Sequence, residues 1–212
     1  MADTAPPKLT PKRRRAPTQA RSRETVAAIL EAGARVFDRV SIGGKATTNA
    51  IARVAGVSIG SLYEYFPNKE AILASLLSDH VEDAQARLQE ALARLDPHSS
   101  PLEPSVRSLI ELLLALHVDR RGLHRRLIEQ WMGESTGRRE VAQAEQRLRL
   151  VLVDWLAVHP EVRCADLEWT ARLIVEGTNA MVHRYVEDDE GQPREAFVDA
   201  LAKLWAGYLR TA

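Results

Sequence analysis

The stretch TTNAIARVAGVSIGSLYEYFPNKE, residues 47–70, decides how the rest of the chain is read. Thr47 has the hydroxyl of a helix N-cap, and Ile51, Ala52, Val54 and Ala55 give the short helix after it an apolar, buried side. Gly56 can take the positive φ of a sharp turn, and Ser58 can cap a second short helix whose inward residues are Leu62 and Phe66. Ala52 allows close helix contact, Gly56 turns the chain, and Leu62 plugs the angle, which is the spacing of a helix-turn-helix. An ordinary helical hairpin can share that spacing. A hairpin that only packs has no use, however, for Ser61, Tyr63, Tyr65 and Lys69 on its outer side.

The surroundings of this stretch suit a helix-turn-helix. The 212 residues carry a formal net charge of zero, but residues 1–70 hold 12 Lys and Arg against 6 Asp and Glu, whereas residues 71–212 hold 17 against 23. A basic first third on an acidic remainder is expected when only one part meets a polyanion. Upstream, residues 1–17 contain four prolines and the run Lys12-Arg13-Arg14-Arg15, a composition that buries no core and predicts a flexible basic arm. Such an arm beside a helix-turn-helix can enter the minor groove or touch phosphates, which makes Arg13, Arg14 and Arg15 candidate DNA contacts.

Between arm and motif, Val26, Ile29, Leu30, Gly33, Val36, Phe37 and Val40 recur at helical spacing and predict a helix over 18–40. With the two motif helices it makes a three-helix unit packed through Phe37, Ile51, Leu62 and Phe66, giving a DNA-binding domain over 18–67. Downstream, Asn68 can cap a long helix to about residue 95. A proline-rich loop, 96–104, follows it. Further helices are predicted over 105–118, with Ser105 as cap, and over 121–132, 138–158, 166–187 and 194–209. No segment alternates with period two, so the chain is all-α, about nine helices in total, with residues 68–212 as a second helical domain.

Several function classes are disfavoured. The one cysteine, Cys164, allows no internal disulfide, and the six histidines are scattered in sequence without metal-ligand spacing, so no metal and no cofactor is expected. There is no His-Glu-x-x-His, phosphate-binding glycine loop or nucleophile elbow, and the chain is read as no enzyme. No run approaches the ~20 apolar residues of a membrane span, and no signal-peptide core is present; a soluble, cytoplasmic protein is expected.

The residues Thr47-Thr48, Ile51-Ala52, Ala55-Gly56-Val57-Ser58, Gly60-Ser61-Leu62-Tyr63, Tyr65-Phe66 and Lys69-Glu70 together resemble the DNA-binding signature of the tetracycline-repressor (TetR/AcrR) family. In the reading helix, Ser58 to Tyr65, Ser61 can bond a base edge, Ile59 can pack on a thymine methyl and Gly60 lets the backbone come close. Tyr63, Tyr65, Lys69 and Thr48 can reach phosphates, and Thr47 opens the supporting helix. Asn49 and Ile59 depart from the polar residues common in relatives, so discrimination is expected to rest on Ser61, Asn49, apolar contact and DNA shape.

The resemblance also implies a ligand-responsive repressor that binds a palindromic operator as a homodimer. Its dimer interface would come from Leu173, Gly177, Ala180 and Met181 on one helix and Leu201, Leu204, Trp205 and Tyr208 on the next. A small-molecule effector would sit among Leu113, His117, His124, Trp131, Trp155, Asn179 and His183, although each of these also suits an ordinary helical core. The remaining alternative is a helical adaptor that binds only protein; it explains the apolar last helices but not the tyrosines, lysine and basic arm beside the turn.

Overall fold

A computed structural model describes residues 20–39, 46–118, 121–128, 135–187 and 191–211. These residues form nine α-helices and no strand: α1 (Ala20–Arg39), α2 (Thr48–Ala55), α3 (Ile59–Tyr65), α4 (Lys69–Arg94), α5 (Leu102–Val118), α6 (Arg121–Leu127), α7 (Ser135–Val158), α8 (Leu167–Glu187) and α9 (Arg194–Thr211). The all-α expectation therefore holds for them. No helix among the described residues is long and apolar enough to cross a membrane.

The chain divides into two compact units, and the division falls inside α4: Met1–Asp79 with Gly122–Arg138 form the first, His80–Arg121 with Arg139–Ala212 the second. In the first, α1 packs on α2 and α2 on α3. Val26, Ile29, Phe37, Ile51, Leu62, Phe66, Ile72 and Leu73 are buried, as the helical spacing of these residues requires. Close approach matters at Gly33, where an added Cβ would lie 2.8 Å from Cγ2 of Ile72. The Leu123 amide of α6 donates to Oδ1 of Asp38 near the end of α1 (3.2 Å).

In the second unit α5 packs on α8 and α9. One buried cluster gathers Leu92, Leu102, Leu152, Trp155, Leu156, Ala171, Val175 and Leu209; another gathers Ile110, Leu114, Val182, Val186, Val198, Leu201, Ala202 and Trp205. Glu161, between α7 and α8, ties distant ends together. Its Oε1 accepts from the Leu102 amide (2.9 Å) and its Oε2 from Arg210 Nη2 (2.7 Å). Those bonds hold its carboxyl below the usual carboxylate range, the Leu102 N–H first and Arg210 second.

The start of α5 corrects the sequence reading. The helix begins at Leu102, and Ser105 lies inside it with its hydroxyl donating to the Pro101 carbonyl (2.8 Å), so Ser105 is no N-cap. Pro104 sits in the first turn, where a missing N–H costs no helix bond, and the Glu161 carboxylate supplies the cap from 59 positions away. No local pattern announces that.

Candidate nucleic-acid interface

Two caps and one turn build the site. Thr47 is extended, with its Oγ1 accepting from the Ala50 amide (3.2 Å), which starts α2. Gly56 ends α2 at φ 69°, in the left-handed region, with its N–H returning to carbonyls of the last turn. Nothing lies within 4 Å of where its Cβ would stand, so conformation and not space demands glycine there. Ser58 then caps α3 through a bond from the Ser61 amide (3.0 Å).

With its ends fixed, α3 buries Leu62 and turns Ile59, Gly60, Tyr63 and Glu64 outward. Ile59 and Tyr63 are 38% and 42% exposed, so both side chains lie on the outer face of α3. The Tyr63 hydroxyl meets Thr48 Oγ1 at 3.1 Å, so α3 and the start of α2 share one polar edge. The Ser61 hydroxyl is bonded to that of Ser58 (2.9 Å), which orients it while leaving a hydroxyl's further bonding capacity. Asn49 is exposed, and Lys69, in the first turn of α4, lies 3.8 Å from its neighbour Glu70.

Two readings of this region are corrected. Tyr65 is only 7% exposed and belongs to the core with Leu62 and Phe66, not to the outer face. Successive helical residues turn by about 100°, so Tyr63 and Tyr65 cannot share a side. By the same geometry Val54, counted with the buried side of α2, is exposed while Ile51 and Ala52 are buried. Arg13, Arg14, Arg15 and Trp131 lie outside the described residues.

The residues assigned to an effector site separate into groups. Trp155 is core, its Nε1 donating to the Leu95 carbonyl (3.0 Å). Asn179 donates to Oε1 of Glu145 (3.0 Å), whose carboxyl is pushed above its ordinary value, chiefly by burial. His124 is buried on α6 in the first unit. Leu113, His117 and His183 do come together in the second unit, and His80 of α4, which no sequence pattern singles out, joins them.

Of the dimer candidates, Leu204 is 52% exposed and Ala180 is exposed, while Leu173, Gly177, Met181 and Tyr208 are half-buried. Leu201 and Trp205 are instead spent on the chain's own core, because helical phase turns them toward α5 and α8. Trp169, at the start of α8, is exposed as well.

Two family models match the chain. One described as "Bacterial regulatory proteins, tetR family" covers residues 29–76, and one described as "Tetracyclin repressor-like, C-terminal domain" covers residues 101–209. ArpR of Pseudomonas putida, a probable HTH-type transcriptional regulator, is 35% identical over 82 residues, and the chain spans 39% of that relative's length. The fold resembles the fatty acid degradation regulator FadR of Bacillus halodurans (20% identity, 88% of this chain and 96% of that one, TM-score 0.65). It also resembles FadR of Bacillus subtilis, solved with stearoyl-CoA (20% identity, 87% and 97%, TM-score 0.62). A tetR-family regulator of Streptomyces coelicolor is similar as well (20% identity, 86% and 81%, TM-score 0.67).

Proposed function

The chain belongs to the tetracycline-repressor (TetR) family of transcriptional regulators, and on that premise we propose that it represses by binding a palindromic operator as a homodimer and departs when a small molecule binds its second unit. The observation that carries the DNA-reading assignment is Gly60. Gly60 is the second residue of α3, and a Cβ there would meet only Ser58 Oγ, at an ordinary 3.7 Å. The fold does not require glycine there; a backbone or base pressed against the exposed turn does.

In this reading Ile59, Ser61 and Asn49 face base edges, while Tyr63, Thr48 and Lys69 meet phosphates. Arg13, Arg14 and Arg15 add charge from the arm. The exposed Leu204 and Ala180, with the exposed Trp169, support pairing of α8 and α9 with a second copy. The two reading helices would then enter successive major grooves, with half-sites about one turn or more apart. The neighbour solved with stearoyl-CoA is a precedent for a small-molecule ligand on this fold. An effector acts by favouring a dimer whose heads no longer match the groove spacing.

Selection of bound sequences from random duplexes by the full-length protein tests this. The expected product is an inverted repeat bound by two chains. Gly60→Ala is expected to weaken that binding at least tenfold while thermal stability stays level or rises. Absence of binding at low salt by a well-folded dimer would overturn the reading and favour an adaptor.

A further inference from the structure

Glu64 is the one acidic side chain of α3. It is exposed, and among the described residues it makes no hydrogen bond and no ion pair. Other exposed carboxylates of the chain, Glu31, Asp83 and Glu90, each hold an arginine one helical turn on. Around Glu64 the positions three and four residues away are Gly60, Ser61, Pro67 and Asn68, none of them a cation. The last turn of α3 carries no basic residue either, so the Glu64 charge meets the negative end of the helix dipole unopposed. The fold gains nothing from this carboxylate.

Its place on the helix is defined by its neighbours. Successive helical residues turn by about 100°. With Leu62 and Tyr65 buried, Gly60 falls at the middle of the outward face, and Tyr63 and Glu64 stand one turn further on, to either side of that line. Tyr63 leans toward α2, where its hydroxyl meets Thr48 Oγ1. Glu64 is therefore turned away from α2, on the side of Ser61, three residues before it. A Cβ at Gly60 would meet only Ser58 Oγ, and glycine leaves the surface before Glu64 clear.

A carboxylate on a face that meets DNA repels the phosphates and lowers affinity for every sequence alike. Only a base that donates to it offsets that loss. In the major groove the donating groups are the amino groups of cytosine N4 and adenine N6. A carboxylate only accepts, and adenine sets the N7 lone pair beside its amino group, facing the second oxygen; cytosine does not. We propose that Glu64 reads a cytosine in each operator half-site by accepting from its N4 amino group. The proposal rests on the DNA-reading assignment of α3 and adds an acidic reader beside Ser61. Such a reader supplies discrimination and not affinity, because its charge opposes binding wherever the cytosine is missing.

Full-length wild-type protein, Glu64→Ala and Glu64→Gln are taken in parallel through selection from random duplexes, with thermal unfolding as the check on folding. Melting is expected to stay level or rise in both variants, since the helix dipole no longer faces a like charge. The wild type is expected to select a C·G pair at one position of each half-site. Glu64→Ala is expected to lose that preference and keep the others, and Glu64→Gln to move it toward adenine, whose N6 and N7 suit an amide. Replacing the selected cytosine should weaken wild-type binding about tenfold and Glu64→Ala binding less than about twofold. Both variants should bind random duplex as tightly as the wild type or more so. A wild-type protein that selects no duplex would overturn the DNA-reading assignment, and this proposal with it. A defined wild-type site that lacks the cytosine, or a cytosine preference that survives in Glu64→Ala, would overturn this proposal alone.

Discussion

Around its helix-turn-helix motif the first unit turns its polar side chains outward, and the second unit turns several of its own inward. Around the motif, Thr47, Asn49, Ser58 and Tyr63 lie toward solvent while Leu62, Tyr65 and Phe66 close a small core beneath them. In the second unit, His117, His159 and Thr178 are buried. His159 reaches the Ser100 carbonyl with Nε2 (3.1 Å) and accepts from the Glu161 amide at Nδ1 (3.2 Å). Outward polarity beside a rigid turn makes a surface for a partner. Inward polarity joins distant segments or holds something inside.

The harshest way to break the contrast is to remove the support under the outward face. Phe66 is fully buried, and Phe66→Ala is expected to cost about 3–5 kcal/mol in urea unfolding followed by circular dichroism. DNA binding should disappear with it although no exposed residue has changed. A loss under about 1 kcal/mol would mean that the apolar layer beneath α3 does not hold the reading face.

Gly33→Ala attacks the same layer by overfilling it. The new methyl would meet the β-branched, fully buried Ile72 at 2.8 Å, so one of the two helices must shift. The strain of about 1–3 kcal/mol exceeds the gain of up to about 1 kcal/mol from alanine's better helix propensity, and a net loss is expected in thermal unfolding. Stabilisation would show that α1 and α4 can separate freely at this point.

These two units also differ in how legible they are in the amino-acid sequence. The Thr47 cap, the Gly56 turn, the Ser58 cap and the buried Leu62 and Phe66 are all readable there, because each acts on residues within about four positions. Tyr65 and Val54 are misplaced by pattern because helices of seven and eight residues give too short a stripe to fix the phase. In the second unit the helices can be counted, yet their joints cannot be read. Glu161 caps α5 from another segment, Trp155 bonds the Leu95 carbonyl, and His80 meets His117 only once α4 and α5 fold back. Such contacts carry no fixed spacing. Leu201 and Trp205 are assigned to the wrong surface for the same reason, since apolarity alone cannot tell a chain's own core from its partner's.

Glu161 sharpens the inward side of the comparison. Its native carboxyl is lowered, so the stability it adds is fully present above its ordinary value of 4.5 and is lost as pH falls through the lowered native value. Glu161→Gln keeps an oxygen for the Leu102 amide but discards the charge facing Arg210. For a partly exposed pair the expected cost near neutral pH is about 1 kcal/mol or less, shrinking as the wild-type carboxyl protonates below 4.5. A wild-type and variant difference in melting temperature that stayed constant from pH 7 to pH 3 would remove the charge from the account.

The smallest change in stability, on the outward side, separates surface function from structure most cleanly. Tyr63→Phe deletes one hydroxyl whose protein partner is Thr48 Oγ1, at 3.1 Å on an exposed edge, and the expected change in unfolding free energy is under about 0.5 kcal/mol. If that hydroxyl also meets a phosphate, affinity should fall about fivefold for every duplex alike, since a phosphate contact carries no base identity. Thr48→Val removes the other half of the pair. Because the two hydroxyls orient each other, the double variant should bind no more than about twofold worse than the weaker single one, a non-additivity expected of groups acting as a unit. Fully additive losses would mean that Thr48 and Tyr63 meet DNA independently and that their bond in the free protein does not organise the face. A loss confined to some sequences would move Tyr63 from phosphate contact to base reading.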